Sequence, residues 1–449
     1  MLQLMGESVS LCDGISRRGF LGVGSLGLAG LTLPQVLAAR QAQAATARKD
    51  TAVILFYMAG GPSHLDTYDM KPTAPEINRG PFRPISTNAA GIDVCELMPR
   101  HARVADRMSI VRSITHNLSV HDDGAHWIFT GYPLLNARAR GQQYPAQGAV
   151  VAQQRGANAP GMPAYVCIPE APTSDRGFYE APAFLSPKYR AVNAGGDPAL
   201  GNFRRPDFHL RDELGAARID MRQDLLSQID RLQRTADHGN AFESMDLAQQ
   251  QAFDLVTGAR AREAFDVSRE SDAVRDRYGR HAYGHGALLA RRLVEAGVTF
   301  VTINLYEADV DWWDDHTTIE KNLRARLPKF DQAVATVIED LTERGLIDRV
   351  LVAAFGEFGR SPNVDAGAGR GHWPRAMSAM LAGGGVQGGR VIGSTTSNGG
   401  EPASRPLAPG DLLQSIYHVL GIDRDTMLID RQNRPIRLVE SGEPIDELF

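Results

Sequence analysis

TAVILFYMAGGPSHLDTYDMKP (residues 51–72) decides the fold. Residues 51–59 form a continuous apolar run ending in Gly60-Gly61-Pro62, as in a strand buried on both faces of a parallel sheet. The run then empties into His64, Asp66 and Asp69. Similar runs recur at MSIVRSI (108–114), GVTFVTINL (297–305) and RVLVAAFG (349–356). Amphipathic patterns precede the last two. GALLARRLVEA (286–296) leads into one, and residues 330–341 lead into the other with Phe330, Val334, Val337, Ile338 and Leu341 on one face. Gly345 is the expected stop of that second helix. Strand and helix in alternation imply an α/β fold with a doubly wound, mostly parallel sheet.

From about 205 to 277 the character changes. MRQDLLSQIDRLQRTADHGNAFESMDLAQQQAFDLV is charged, Gln-rich and helical in pattern, which reads as a helical insertion on the α/β core. No heptad runs cleanly through it, so a coiled coil is disfavoured. Residues 136–162 and 362–405, rich in Gly, Ala, Arg, Ser and Pro, are expected as long loops of the kind that build binding sites.

The 449 residues are 43% apolar and 22% charged, an ordinary globular composition. A net charge of -5 argues against a nucleic-acid binder that works by bulk attraction. At the N-terminus, Arg17-Arg18 precede a weakly apolar, Gly-rich segment, and Ala42-Gln43-Ala44 offers small residues for cleavage. Residues 1–44 therefore read as a twin-arginine signal peptide, and 45–449 as the mature domain. The expected location is the bacterial periplasm or the medium, reached through the twin-arginine export machinery. No stable membrane span is expected after cleavage. Cys95 and Cys167 remain in the mature chain, and sequence does not tell whether they pair.

Ligands of open parallel sheets sit beyond the carboxyl ends of the strands, and the polar residues gather there. The first strand is followed by His64, Asp66 and Asp69, the second by His116, Ser119, His121, Asp122, Asp123 and His126. The third is followed by Asp309, Asp311, Asp314, Asp315 and His316, the fourth by Glu357, Arg360, Arg370 and His372. Each cluster alone has a plainer explanation: a turn at His64 and Asp69, a helix cap at Asp122 and Asp123, packing by Trp312 and Trp313. The convergence of four clusters on one sheet edge is what those explanations leave out. Mixed imidazole and carboxylate ligands suit zinc or manganese, as one ion or as a pair. AGGGVQGG (382–389) contains no Lys and reads as a tight turn. His281 and His285 lack the Glu of a zinc protease and are expected to be structural. No Gly-x-Ser-x-Gly elbow is present, which disfavours a serine hydrolase.

GGPSHLDTYDMKP, HDDGAHWIFTGYP, LARRLVEAGVTFV, WDDH, GEFGRSP, GRGHW and LAGGGVQGGRVIG together resemble one family. It is a large group of exported bacterial proteins known as a domain of unknown function, itself similar to the alkaline phosphatase and sulfatase superfamily. The resemblance implies an alkaline-phosphatase-like α/β core with one or two divalent ions at the strand ends. It matches Asp66 to the metal-binding Asp of the first strand, Asp314 and His316 to later ligands, and His372 to the last. The superfamily's nucleophile precedes a Thr-Gly by about ten residues, and here that position is His121. An imidazole cannot act as the usual alkoxide, and Ser119 substitutes only if the register slips. A second Asp-His pair becomes Glu357-Phe358.

The expectation is thus an exported metal-dependent hydrolase of phosphate or sulfate esters, acting on a small-molecule or glycan ester by metal-activated water. Asp66, His121, Asp314, His316, Glu357 and His372 are the expected metal ligands. His121 and His126 are expected in catalysis, with Arg360, Arg370 and Ser119 on the substrate and Arg360 steadying its charge. The alternative is an inactive binding or assembly protein on the same fold.

Overall fold

The computed structural model describes residues 50–134, 142–169, 179–200, 203, 259–305 and 312–449. Its centre is one eight-stranded sheet. The strands are β1 (Ala52–Tyr57), β2 (Met108–Ile114), β3 (Tyr165–Ile168), β4 (Val192–Asn193), β5 (Phe300–Asn304), β6 (Val350–Phe355), β7 (Met377–Gly383) and β8 (Arg390–Ile392). Across the sheet their order is β8-β2-β7-β6-β1-β5-β3-β4. All pairs are parallel except those made by β7, which runs against both β6 and β2. The sheet is therefore mixed and mostly parallel.

Among the described residues five helices of two turns or more flank it: α1 (His121–Thr130), α2 (Gln147–Gln154), α3 (Ala282–Ala296), α4 (Ile319–Glu343) and α5 (Pro409–Val419). They lie on both faces, and the period-2 alternation of β1 serves both. Ile54 and Phe56 enter a core shared with α3 and α4. Val53, Leu55 and Tyr57 enter a second core shared with α1, α2 and α5. The face of α4 read from the sequence is the buried one: Phe330, Val334, Val337, Ile338 and Leu341 are fully covered. Each such side chain contributes about 1.5–3 kcal/mol by leaving water. Gly345 follows α4 with φ +66°, where a side chain is strained and the helix stops.

Three expectations need correction or restriction. Residues 136–162 hold α2, and 362–405 hold β7 and β8, so neither stretch is only loop. Their small residues pack as element interiors, as in MSAMLAG, which is buried throughout. Of the helical insertion, the helices Ala259–Ala264 and Asp272–Tyr278 are described; they join α3 and α4 through Arg291–Glu270 (2.8 Å) and Tyr278–Asp340 (2.7 Å). Residues 205–258 of the insertion, the signal segment, Asp309 and Asp311 lie outside the described residues. Cys95 and Cys167 are unpaired and sit in opposite cores. His281 is structural, as expected: it caps α3, its Nδ1 accepting the Gly284 N–H at 3.1 Å. No helix of the described residues is long and apolar enough to cross a membrane.

Candidate metal centre

The end of β1 meets the turn after β5 at Gly60. A Cβ on Gly60 would stand 2.6 Å from the Asp314 backbone nitrogen, and its φ is +107°. Only glycine permits that approach, which brings Asp314 to the carboxyl edge of the sheet. The Gly60 N–H also donates to Glu357 Oε1 at 2.9 Å, fixing the residue that follows β6. Helix α1 is pressed against the same place: a Cβ on Gly124 would stand 3.1 Å from Phe358. Its first residue, His121, thereby faces both carboxylates. A two-residue ladder pairing His372 with Arg360 brings in the last imidazole.

Ligand atoms of His121, Asp314 and His372 lie within 4.8 Å of one another. His121 Nε2 is 3.2 Å from Asp314 Oδ2, and His372 Nε2 is 3.1 Å from Asp314 Oδ1. His316 Nε2 joins them, 3.0 Å from Asp314 Oδ1 and 2.8 Å from His372 Nε2.

The far side of each ring sets its tautomer. His372 Nδ1 is 2.7 Å from the Ser119 carbonyl, which can only accept, so Nδ1 carries the proton and Nε2 the lone pair. His121 Nδ1 donates to Glu357 Oε1 at 2.6 Å and leaves Nε2 facing Asp314. Lone pairs of two imidazoles and one carboxylate thus converge with no donor of their own between them. A cation resolves that arrangement, and without one a proton must. Burial opposes charging of His121, but its bonds to Asp314 and Glu357 outweigh burial and push it up to about 9. Burial likewise opposes charge on Asp314, yet His121, His372 and Arg360 hold it well below the usual carboxylate range. The donor set and its convergence fit a divalent ion such as zinc or manganese.

Glu357 stands behind the ligands. Its Oε1 takes the His121 and Gly60 protons, and its Oε2 takes the Tyr57 hydroxyl at 3.1 Å, all in a buried setting. Expected as a ligand, Glu357 lies outside the His121, Asp314 and His372 group and bonds the far nitrogen of His121, the place from which a carboxylate would orient that ring and raise its basicity towards a metal. Glu357→Gln is expected to weaken metal affinity about 10–100-fold with the ligands still in place. Titration against a chelating dye measures this. Unchanged affinity would refute the orienting role, and complete loss of binding would return Glu357 to the ligands.

Arg360 is wholly buried, and its guanidinium donates to the backbone carbonyls of Gly61 (2.8 Å), Trp313 (3.1 Å), Arg370 (3.1 Å) and Gly60, and to Asp314 at 2.5 Å. Expected on the substrate, Arg360 spends these donors inside the protein and holds Asp314. Asp66 does not join the cluster: fully buried, it pairs with Arg370 at 2.8 Å and accepts from Ser63 at 2.5 Å. Arg370 spends its remaining donors on the carbonyls of Asn78, Ser361 and Pro362. Asp66, expected as a ligand, and Arg370, expected on the substrate, are thus paired with each other inside the protein and apart from the cluster. His126 is buried with Nδ1 on the Tyr132 carbonyl (2.8 Å) and Nε2 accepting from Gln143 N–H (3.1 Å). Both nitrogens of His126, expected as base or ligand, are thus engaged in tying α1 to the next loop. Ser119 is exposed and gives its carbonyl to His372. The sequence reading had no place for Tyr57, and its only signal was a hydroxyl at the very end of an apolar strand.

His116 lies behind the cluster, with Nε2 donating to the Glu357 carbonyl (2.8 Å) and Nδ1 accepting the Leu118 N–H (3.2 Å). Burial lowers it from 6.5 to about 4. The unfolded chain therefore binds the extra proton in that interval, and stability falls as pH drops from 6.5 towards 4. The full fall costs about 3 kcal/mol. Urea unfolding across this range, beside a His116→Asn variant with a flatter profile, checks it; an unaltered slope in the variant would exclude His116 as the source.

A family described as "Protein of unknown function (DUF1501)" matches residues 50–449. Among curated proteins none matches. Solved structures similar to the chain include the PsFucS1 sulfatase from Pseudoalteromonas sp., at 10% identity and TM-score 0.35, covering 85% of this chain and 70% of that one. The phosphonate monoester hydrolase of Agrobacterium radiobacter is similar at 10% identity and TM-score 0.35, covering 89% and 77%. The lipoteichoic acid synthase LtaP from Listeria monocytogenes is similar at 8% identity and TM-score 0.34, covering 84% and 73%.

Proposed function

The chain belongs to the DUF1501 family, and within it we propose an exported metal-dependent hydrolase of phosphate or sulfate esters. The observation that carries this is the convergence of potential ligand atoms from His121, Asp314 and His372 within 4.8 Å of one another, beside His316. These residues would hold a divalent ion, zinc or manganese, and the ion would supply Lewis acidity towards an ester oxygen and activation of water. The protein's own part is positional. Glu357 and Ser119 fix the two ring orientations, Arg360 holds Asp314, and Phe358 packs beside both rings, with centroids 5.0 Å from His121 and 4.7 Å from His372. Export through the twin-arginine route is part of the proposal and rests on residues 1–44.

One observation favours a second reading, a metal-bearing binding protein without turnover. The position of the usual nucleophile is His121, and Ser119 meets the cluster through its carbonyl. Elemental analysis of protein purified without chelators, followed by a panel of phosphate and sulfate esters, separates the two. Stoichiometric metal with ester turnover that a chelator abolishes is the expected result. Metal with no turnover on the panel would establish the binding protein, and a site that refuses added metal would sink both.

A further inference from the structure

We propose that the cleft on the far side of the Gly359–Arg360/His372–Trp373 ladder binds an acidic sugar. Consecutive residues leave a strand on opposite sides, so His372 serves the metal cluster while Trp373 serves a separate cleft. That cleft has a volume of about 360 Å³ and is lined by Trp373, Pro362, Arg375, Asn398 and Glu401, with Ser361 at the ladder. The volume is in the range of small-ligand sites.

Its lining is prepared for a ligand. The Trp373 indole N–H is spent inside the protein, on the Gly400 carbonyl at 2.5 Å, which fixes the ring as a half-buried apolar wall. The Asn398 amide is held by its oxygen, which accepts from the Thr396 hydroxyl (2.8 Å) and the Gly400 N–H (3.1 Å). Its orientation is set, with the NH₂ as the end left to donate. Gly400 keeps the floor low, since a Cβ there would stand 3.1 Å from Asn398 and 3.3 Å from Pro362. Arg375 and Glu401 are exposed, and among the described residues neither side chain has a hydrogen bond or ion pair. Most other arginines at the sheet edge, such as Arg360 and Arg370, are consumed by the fold.

A fixed aromatic wall, an oriented amide, a free carboxylate and a free guanidinium in one cleft match the surface of a pyranose. The ring's C–H face meets the indole, its hydroxyls meet Asn398 and Glu401, and a sulfate or uronate group meets Arg375 bidentately. A purely apolar ligand would leave both charges without partners, and a simple anion would leave the indole unused. The assignment stands apart from the hydrolase proposal, because the cluster and the cleft lie on opposite sides of the ladder.

Calorimetry and tryptophan fluorescence on the full chain test it, with a sulfated galactan hexasaccharide, hexagalacturonate, neutral cellohexaose and a glutamate hexapeptide as probes. The acidic hexasaccharides are expected to saturate the site and perturb the fluorescence. Arg375→Ala is expected to weaken them about tenfold, the scale of one charge-assisted hydrogen bond. Trp373→Leu is expected to remove binding of all sugars. Arg375 is solvent-facing and unpaired, so its variant folds even if the Trp373 variant does not. Asp314→Ala, which disables the metal cluster, is expected to leave sugar affinity unchanged. The proposal is overturned if no hexasaccharide saturates, if Arg375→Ala binds them as before, if the glutamate peptide binds equally, or if Asp314→Ala abolishes binding.

Discussion

Asp314→Ala is expected to leave a folded protein that retains no metal and turns over no ester. Among the described residues Asp314 is the one carboxylate touched by all three imidazoles, through His121, His316 and His372, and by the guanidinium of Arg360. Its removal leaves the ring nitrogens facing one another with no anion to draw a cation in. The loss should exceed the about 10–100-fold that an orienting group such as Glu357 contributes. Arg360 keeps its bonds to the Gly61 and Trp313 carbonyls, so the local backbone has reason to hold. Elemental analysis and an ester assay on the same preparation read the result. Metal bound in full by Asp314→Ala would place the ion elsewhere and end the proposed function.

The second large effect is the opposite in kind. Asp66→Ala is expected to cost about 3–5 kcal/mol of unfolding free energy, because it strands the Arg370 guanidinium in a fully buried position. Metal stoichiometry should stay as in the parent. Urea unfolding and metal analysis measured together distinguish a structural ion pair from a ligand. A variant that keeps its stability and loses its metal would restore Asp66 to the metal site. Arg370→Met, which removes the charge that Asp66 answers, should destabilise when made alone and less when combined with Asp66→Ala, since the pair fails as a unit.

The partner of Asp66 is not legible in the sequence. Asp66 follows the first strand at the position the family resemblance assigns to a ligand, and the residue that neutralises it lies far along the chain, in GRGHW. Local pattern carries no information about that partner. The same limit hid the role of Glu357, whose place after β6 was legible while its bonds to Tyr57, Gly60 and His121 were not. By contrast, β1, β2, β5 and β6 are plain in the sequence because both faces of each are buried, and burial on two faces writes an uninterrupted apolar run. β7 is equally buried but, apart from Leu381, is built from Met, Ser, Ala and Gly, whose weak β-propensity disguises it. Nothing in MSAMLAG marks it as the strand that runs the other way. His121, Asp314, His316 and His372 were legible by their shared position after strands. Their common focus required the fold.

The strand order has a consequence for how the chain comes to be folded. β1 is made first, yet its two sheet neighbours are β5 and β6, drawn from residues 300–304 and 350–355. β2 likewise waits for β7 and β8. Pairings so distant in sequence mean high contact order and a slow search. The fully buried AVILFY segment therefore stays unpaired until β5 and β6 have been made. Truncation before β6 would remove a sheet neighbour of β1 together with Glu357 and His372, so no smaller unit carrying the cluster is expected.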